Sequence, residues 1–290
     1  VVVEEVLLKA EGLRYSYGQE KEALKGIDLT VKKGEKIVVL GSNGAGKSTL
    51  FLTLNGVLTP DSGRILYRGK EIGKKEINEL RRNIGIVFQD ADNQIIASTV
   101  FSEVSFGPMN LRLPKEEVVK RVNSSLASMN LTEMKDRPPH YLSGGEKKRV
   151  SIADIIAMEP EVILFDEPTA SLDPVNVKML KEVLDEMTHL GKTLLISTHD
   201  VDFAFQWAER ALVFSGGKMI ADGPVREVFD SPEVLEEANL RKPVMMEVFE
   251  SLVRHGVLQK EAVCPQNAGE LDGMLQAYSE RMKEIDRIWY

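Results

Sequence analysis

Cysteine is nearly missing from this chain: Cys264 is the only one in 290 residues. One thiol excludes a disulfide framework within the chain and any zinc site built from a cysteine cluster. It points to a reducing, cytoplasmic setting. Long apolar runs are also lacking. No stretch approaches the ~18 apolar residues that a spanning helix needs, so contact with a membrane is expected to go through a partner. The opening Val1-Val2-Val3-Glu4-Glu5 has neither the basic end nor the cleavage site expected of a signal peptide. Positive charge is in deficit as well. The net charge is −8 and the pI is near 5.3. Duplex-binding proteins usually carry a basic surplus or stripe that neutralises phosphates, so the overall balance argues against nucleic acid. Internal repeats and low-complexity segments are not seen.

What is present is the mixture of a globular protein, 43% hydrophobic and 28% charged. Apolar runs of strand length alternate with helical patterns, which predicts a mostly parallel sheet with helices on its faces. Ile37-Val38-Val39-Leu40, Ile84 to Phe88, Val162 to Phe165 and Thr193 to Ser197 read as strands. The last two are largely apolar and predict burial on both faces. Lys115 to Met129 reads as an amphipathic helix, with Val118, Val122 and Leu126 in steps of four. Leu131 to Tyr141 reads as a loop. After Gly223-Pro224 the character changes. Val225 to Asp230 reads as a short helix, and two further helical patterns follow Ser231-Pro232. In the first, Val244, Met245, Val248, Phe249, Leu252 and Val253 share a face. In the second, Leu271, Met274, Leu275, Tyr278, Met282, Ile285 and Trp289 recur at helical spacing. These faces either cap the chain's own core or pack against a second copy.

Three stretches carry chemistry. Gly41-Ser42-Asn43-Gly44-Ala45-Gly46-Lys47-Ser48 fits G-x-x-x-x-G-K-[ST] and lies between a strand and a helix that begins Lys47-Ser48-Thr49. Glycines let the backbone wrap phosphates with successive N–H groups pointing inward. The following helix adds the positive end of its dipole. Lys47 supplies a mobile cation and Ser48 a hydroxyl for Mg²⁺. An ordinary glycine-rich turn is the plainer reading. Asp166-Glu167 ends an apolar strand, at the carboxyl edge where α/β sheets bind ligands. An acidic turn is the plainer alternative there. Leu142-Ser143-Gly144-Gly145-Glu146 lies between these two, with Ser143 placed to cap a helix. The N–H groups of such a helix start can also grip phosphate. Tyr15 and Tyr17 lie two apart on a strand-like stretch and so share a side. Tyr17 borders the turn at Gly18.

In this order, from about Leu7 to Glu227, the chain resembles the nucleotide-binding subunit of an ABC transporter. The resemblance implies an α/β P-loop NTPase cassette: a RecA-like core, an antiparallel β subdomain and a helical signature subdomain at about 90–160. That cassette would occupy 1–230. A small C-terminal helical extension, 231–290, would follow as a candidate dimerisation segment.

The resemblance also assigns roles. ATP would be held by Tyr17, Gly41, Ser42, Asn43, Gly44, Ala45, Gly46, Lys47, Ser48, Thr49 and Gln89. Ser48, Gln89 and Asp166 would hold Mg²⁺. Glu167 would orient the attacking water, and His199, after the strand ending at Ser197, would contact the γ-phosphate. Ser143, Gly144, Gly145 and Asp173 would reach the ATP of a second ATPase subunit, identical or paralogous. Ser171-Leu172-Asp173 resembles the loop that crosses that interface. Asp154, where relatives usually have a small residue, is too far along its helix to touch phosphate and raises a packing question.

Four stretches resemble the energy-coupling-factor and cobalt-transport branch: Phe88 to Gln94, Val104-Ser105-Phe106-Gly107-Pro108, Ile152 to Pro160, and Asn239-Leu240-Arg241-Lys242-Pro243. The first two would form a groove for a transmembrane coupling subunit, with Asp90 and Asp92 meeting basic residues there. The implied function is an ATP-hydrolysing subunit of an importer for cobalt or nickel ions or a vitamin, peripheral on the cytoplasmic membrane face. It would work with a coupling subunit and a substrate-binding membrane subunit. One rival is a non-transport ATPase acting on nucleic acid or ribosomes, whose usual coiled-coil insertions, zinc clusters and basic arms are lacking. The other is a non-catalytic nucleotide sensor, which a degenerate Glu167 or His199 would favour.

Overall fold

A computed structural model describes residues 5–18, 21–170, 172–259 and 261–289; of Asn93 and residues 281–289 only the backbone is described. Ser171 lies outside the described residues.

Two sheets face each other. The antiparallel one runs β2-β1-β4-β5, made of β1 (Val6–Tyr17), β2 (Lys21–Lys32), β4 (Ser62–Tyr67) and β5 (Lys70–Glu71). The other runs β10-β9-β3-β8-β7-β6, with β3 (Lys36–Gly41), β6 (Ile84–Val87), β7 (Val162–Asp166), β8 (Thr193–Ser197), β9 (Arg210–Ser215) and β10 (Lys218–Pro224). Its pairings are parallel except the β9–β10 hairpin. Side chains alternate across a strand, and β3 shows the consequence. Val38 and Leu40 enter one core with the helices, whereas Ile37 and Val39 enter a second core against the antiparallel sheet. The strand is buried on both faces, which is why its sequence reads as a continuous apolar run.

The helices are α1 (Lys47–Leu54), α2 (Ile77–Asn83), α3 (Val100–Asn110), α4 (Lys115–Ser128), α5 (Gly144–Ala157), α6 (Pro174–His189), α7 (Val201–Trp207), α8 (Val225–Asp230), α9 (Pro232–Ala238), α10 (Val244–Arg254) and α11 (Ala268–Trp289). Helices α3, α4 and α5 pack on one another between β6 and β7. Val118, Val122 and Leu126 are buried there as their spacing predicts. The stretch Leu131–Tyr141, read as loop, contains two short 3-10 turns, Thr132–Met134 and Pro139–Tyr141. The strand read as Ile84–Phe88 ends one residue earlier, because Phe88 N turns away to the side chain of Gln94 at 3.3 Å.

Residues beyond Asp230 do not start a separate core. Leu235, Ala238 and Met246 are buried in the core shared with the helices, and Ser215 Oγ donates to the Glu237 carbonyl at 3.2 Å. The apolar face expected of α10 is only partly used: Met246 is buried, while Val244 and Val248 remain exposed. Gln266 Nε2 ties the segment before α11 to the Phe205 carbonyl at 2.9 Å.

Candidate functional site

The carboxyl ends of β3, β7 and β8 open on a cavity of about 830 Å³. Its floor is the loop after β3. Gly41 has φ 138°, and a Cβ there would lie 2.2 Å from the Phe214 carbonyl oxygen on β9. Gly46, φ 111°, is as tightly held against the Ala23 carbonyl oxygen of β2. Only glycine meets both demands, so the loop is wedged between the two sheets. Gly46 precedes α1 and has no side chain to cap it. The first N–H groups of α1 therefore point to the cavity with helix-dipole charge behind them.

Lys47 is buried, and its Nζ donates to the carbonyls of Gly41 at 2.7 Å and Ser42 at 3.2 Å. Burial lowers its pKa, against the opposing pull of Glu167 and Asp166. The carboxylates sit on the far wall. Asp166 Oδ1 accepts from Ser197 Oγ at 2.5 Å, which fixes the carboxylate from the neighbouring strand. Glu167 is buried at φ 47°, a conformation that costs a side-chain-bearing residue about 1–3 kcal/mol. Its N–H is held there by the carbonyl of Ser197 at 3.1 Å and its hydroxyl at 3.2 Å. His199 Nδ1 lies 2.9 Å from Glu167 Oε2, while the rest of the imidazole is exposed. A strained acid tied to an exposed histidine fits a reactive position better than an acidic turn.

Tyr17 borders the cavity, 48% exposed, with its hydroxyl 3.3 Å from Thr49 Oγ1 and its ring edge-on to Tyr15 at 5.0 Å. Tyr15 packs against the core. Ser42, Asn43, Gly44, Ala45, Ser48 and Gln89 also line the space. Ser48, Gln89 and Asp166 thus offer a hydroxyl, an amide and a carboxylate on one cavity, the hard oxygen set that suits Mg²⁺.

Ser143, Gly144, Gly145 and Asp173 are not on this cavity. Ser143 caps α5 in a reciprocal box: its Oγ accepts from Glu146 N at 3.3 Å, and its N–H and hydroxyl donate to Glu146 Oε2 at 2.7 and 2.8 Å. Those bonds hold the Glu146 carboxyl below its usual range. Asp173 caps α6 with its side chain alone, accepting from Asn176 N at 2.9 Å. Ser143, Gly144 and Asp173 are exposed.

Sequence reasoning missed two participants. Lys148, one of the three consecutive cations Lys147-Lys148-Arg149, has no role assigned from the sequence; it is 2% exposed. Its Nζ donates to the carbonyls of Phe88 at 2.7 Å and Gln89 at 3.0 Å and approaches that of Asp166 at 3.5 Å. Burial brings its pKa down to about 8. It ties the helix after Ser143 to the backbone beside Gln89 and Asp166. No local pattern marks it. The second is the segment Asn239-Leu240-Arg241, which forms part of the cavity wall. One expectation is modified: Asp92 is already paired within the chain, with Lys147 Nζ at 2.6 Å. The packing question at Asp154 has an answer too. It accepts from Gln94 Nε2 at 3.1 Å, and burial, with Glu103 nearby, raises its pKa to about 7.

The family model described as ABC transporter matches residues 24–170. The energy-coupling factor transporter ATP-binding protein EcfA of Methanocaldococcus jannaschii is 47% identical over 248 residues, 85% of this chain and 89% of that protein. The solved structure of cbiO1 from Clostridium perfringens, described as part of the ABC transporter complex cbiONQ, has a TM-score of 0.71 at 46% identity. It covers 85% of this chain and 100% of its own. A dimeric cassette solved in a post-hydrolysis state with ADP and Pi has a TM-score of 0.69 at 29% identity, covering 76% of this chain and 99% of its own. The chain spans only 56% and 64% of the length of two other archaeal relatives, from Methanosarcina mazei and Methanospirillum hungatei, at 46% and 45% identity.

Proposed function

For a chain that belongs to the ABC transporter family, in the branch of the energy-coupling-factor ATP-binding proteins and carrying that family's ATPase cassette, we propose the role of motor subunit in an importer of cobalt or nickel ions or a vitamin. One observation carries the reading. Lys47, Asp166, Glu167 and His199 converge on one cavity, while the Ser143–Gly145 helix start faces solvent elsewhere.

ATP lies along Gly41–Thr49 with its adenine against Tyr17. Backbone N–H groups and Lys47 meet the phosphates, and Lys47 exchanges its two carbonyl partners for phosphate oxygen. Ser48, Gln89 and Asp166 would hold Mg²⁺, which when bound would neutralise phosphate charge. Glu167 accepts from the attacking water and aims it in line. The His199 contact keeps the carboxylate from rotating away and offers the imidazole to the terminal phosphate. A second cassette, identical or paralogous, brings Ser143, Gly144, Gly145 and Asp173 over the same nucleotide. Membrane contact goes through a coupling subunit and a substrate-binding subunit on the cytoplasmic face. Among the described residues no helix is long and apolar enough to cross a membrane. The cassette would occupy 1–230, with the helical subdomain at about 90–160. The extension 231–290 would supply a standing contact between two cassettes, for which the exposed Val244 and Val248 are available.

Glu167→Gln tests the chemical core of this reading. Turnover should fall ~100-fold or more, because the water loses its anionic partner while the phosphate cradle stays. ATP binding should persist, and Mg-ATP should shift the variant to a dimer in size-exclusion chromatography. Hydrolysis at the wild-type rate would remove Glu167 from this role.

A further inference from the structure

The nucleotide cavity has a wall from outside the cassette. Asn239, Leu240 and Arg241, between α9 and α10, line it together with Ser42, Asn43, His199 and Val201. Asn239 ends α9 in the left-handed conformation, φ 54°, which turns the chain toward the cavity. Arg241 is the cation of this wall. Its side chain is 59% exposed and its Nη2 is held by Asp202 Oδ2.

Asp202 does two tasks. Its Oδ2 takes Arg241, and its Oδ1 accepts from Val244 N at 2.7 Å, one of the otherwise unpaired donors at the start of α10. Asp202 lies in the first turn of α7, three residues after His199. Asp200 caps that turn, accepting from Asp202 N at 3.1 Å and Phe203 N at 3.0 Å. The extension is thus fastened to the helix that directly follows the histidine bonded to Glu167.

An exposed arginine on a cavity meant for a polyanion, paired among the described residues with the one carboxylate of Asp202, is held ready and not spent. Guanidinium binds phosphate through paired donors. We infer that Arg241 is a phosphate-binding residue of the nucleotide site, supplied by the C-terminal extension and held by Asp202 until nucleotide takes it. Asp202 is a positioning residue: it competes with phosphate for Arg241 and keeps α10 docked through Val244. Nucleotide binding then releases Arg241 from Asp202, and the extension registers whether the site is filled. The inference rests on the nucleotide site placed at Gly41–Thr49.

The test compares Arg241→Gln with Asp202→Asn in the full chain. Affinities for ADP and for an ATP analogue with a non-hydrolysable β–γ bridge are measured by fluorescence titration at low protein concentration. If the ion pair only braces the structure, breaking it from either side acts in the same direction. If Arg241 binds phosphate, the two variants diverge. Arg241→Gln should weaken nucleotide binding about five- to tenfold, as loss of a charge-assisted contact. Asp202→Asn keeps an acceptor for Val244 N, removes the competing charge and should tighten binding about two- to fivefold. Arg241→Lys should recover part of the loss. Amide exchange across Val244–Arg254 should respond to nucleotide in the wild type and not in Arg241→Gln.

Equal weakening by both variants, or affinity within twofold of wild type in Arg241→Gln, overturns the inference. Lys47→Ala is the control. If it too binds normally, the site reading itself fails; if it loses binding while Arg241→Gln does not, only the inference fails.

Discussion

The Lys47 loop and the Ser143 turn both end in the N–H groups of a helix start, yet they are built by opposite means. The first is embedded. Gly41 and Gly46 touch backbone of β9 and β2, Lys47 is buried, and Asp166 and Glu167 are pinned from β8. The second is exposed, and its shape comes from a capping box within four residues. An embedded half gains rigidity from the core, and on the proposed function it would bind nucleotide by itself. An exposed half can dock on something else. Both halves are also satisfied while waiting: Lys47 by two carbonyls, Ser143 by Glu146. On the proposed function each would give up an internal bond to meet phosphate. Lys148 joins them, anchored on the carbonyls beside Gln89 and Asp166 while belonging to the helix that Ser143 starts.

Glu167→Gln should show the largest effect, on turnover alone. The contrast between halves is drawn more sharply by Lys47→Ala and Ser143→Arg. Both should cut hydrolysis ~10-fold or more, by loss of phosphate stabilisation. Only Lys47→Ala should weaken nucleotide binding by the monomer, as read by titration at low protein concentration. Equal weakening by Ser143→Arg would place both halves in one chain's site.

Asp154 gives a smaller, pH-dependent effect on the helix of the exposed half. Its pKa rises from 3.8 unfolded to about 7 folded. The unfolded state therefore binds fewer protons between these values, and stability falls as pH rises through them. Asp154→Asn removes that loss. Each pH unit is worth about 1.4 kcal/mol, so the gain at pH 8 is bounded at roughly 4 kcal/mol. Thermal melts should show the variant above wild type at pH 8 and converging on it near pH 4. A constant offset across that range would exclude titration of Asp154 as the cause. The smallest effect is expected for Val248→Glu on the exposed face of α10. It should weaken the nucleotide-free dimer about tenfold in sedimentation, with little change in melting temperature. An unchanged dimer would leave α10 outside the contact.

The fold was legible where periodicity is strong. Ile37–Leu40 in β3, Val162–Phe165 in β7 and Leu194–Ile196 in β8 are apolar because two cores share them, and Val118, Val122 and Leu126 mark a face of α4. The embedded half of the site was legible because glycine, lysine and paired carboxylates follow strands at fixed places. What stayed hidden depends on distant contact. Lys148 has no role assigned from the sequence because nothing local announces three carbonyls from other segments. Arg241 lies some forty residues past Asp202, and the turn at Asn239 that brings them together has no strong local signal. The α10 face shows another limit: helical spacing identifies an apolar stripe but not what covers it, and Val244 and Val248 are exposed.

The central claim is that one working site takes Lys47 from one chain and Ser143 from another. Mixing Lys47→Ala with Ser143→Arg tests it most directly, with ATPase rate read against the ratio of the two. Each variant alone has no complete site. In a mixed dimer one site is intact and the other carries both changes. At equal amounts, random pairing should restore up to about one quarter of the wild-type sites. Activity should rise to a maximum near equal mixing. A rate that follows the straight line between the two variants at every ratio would contradict the account.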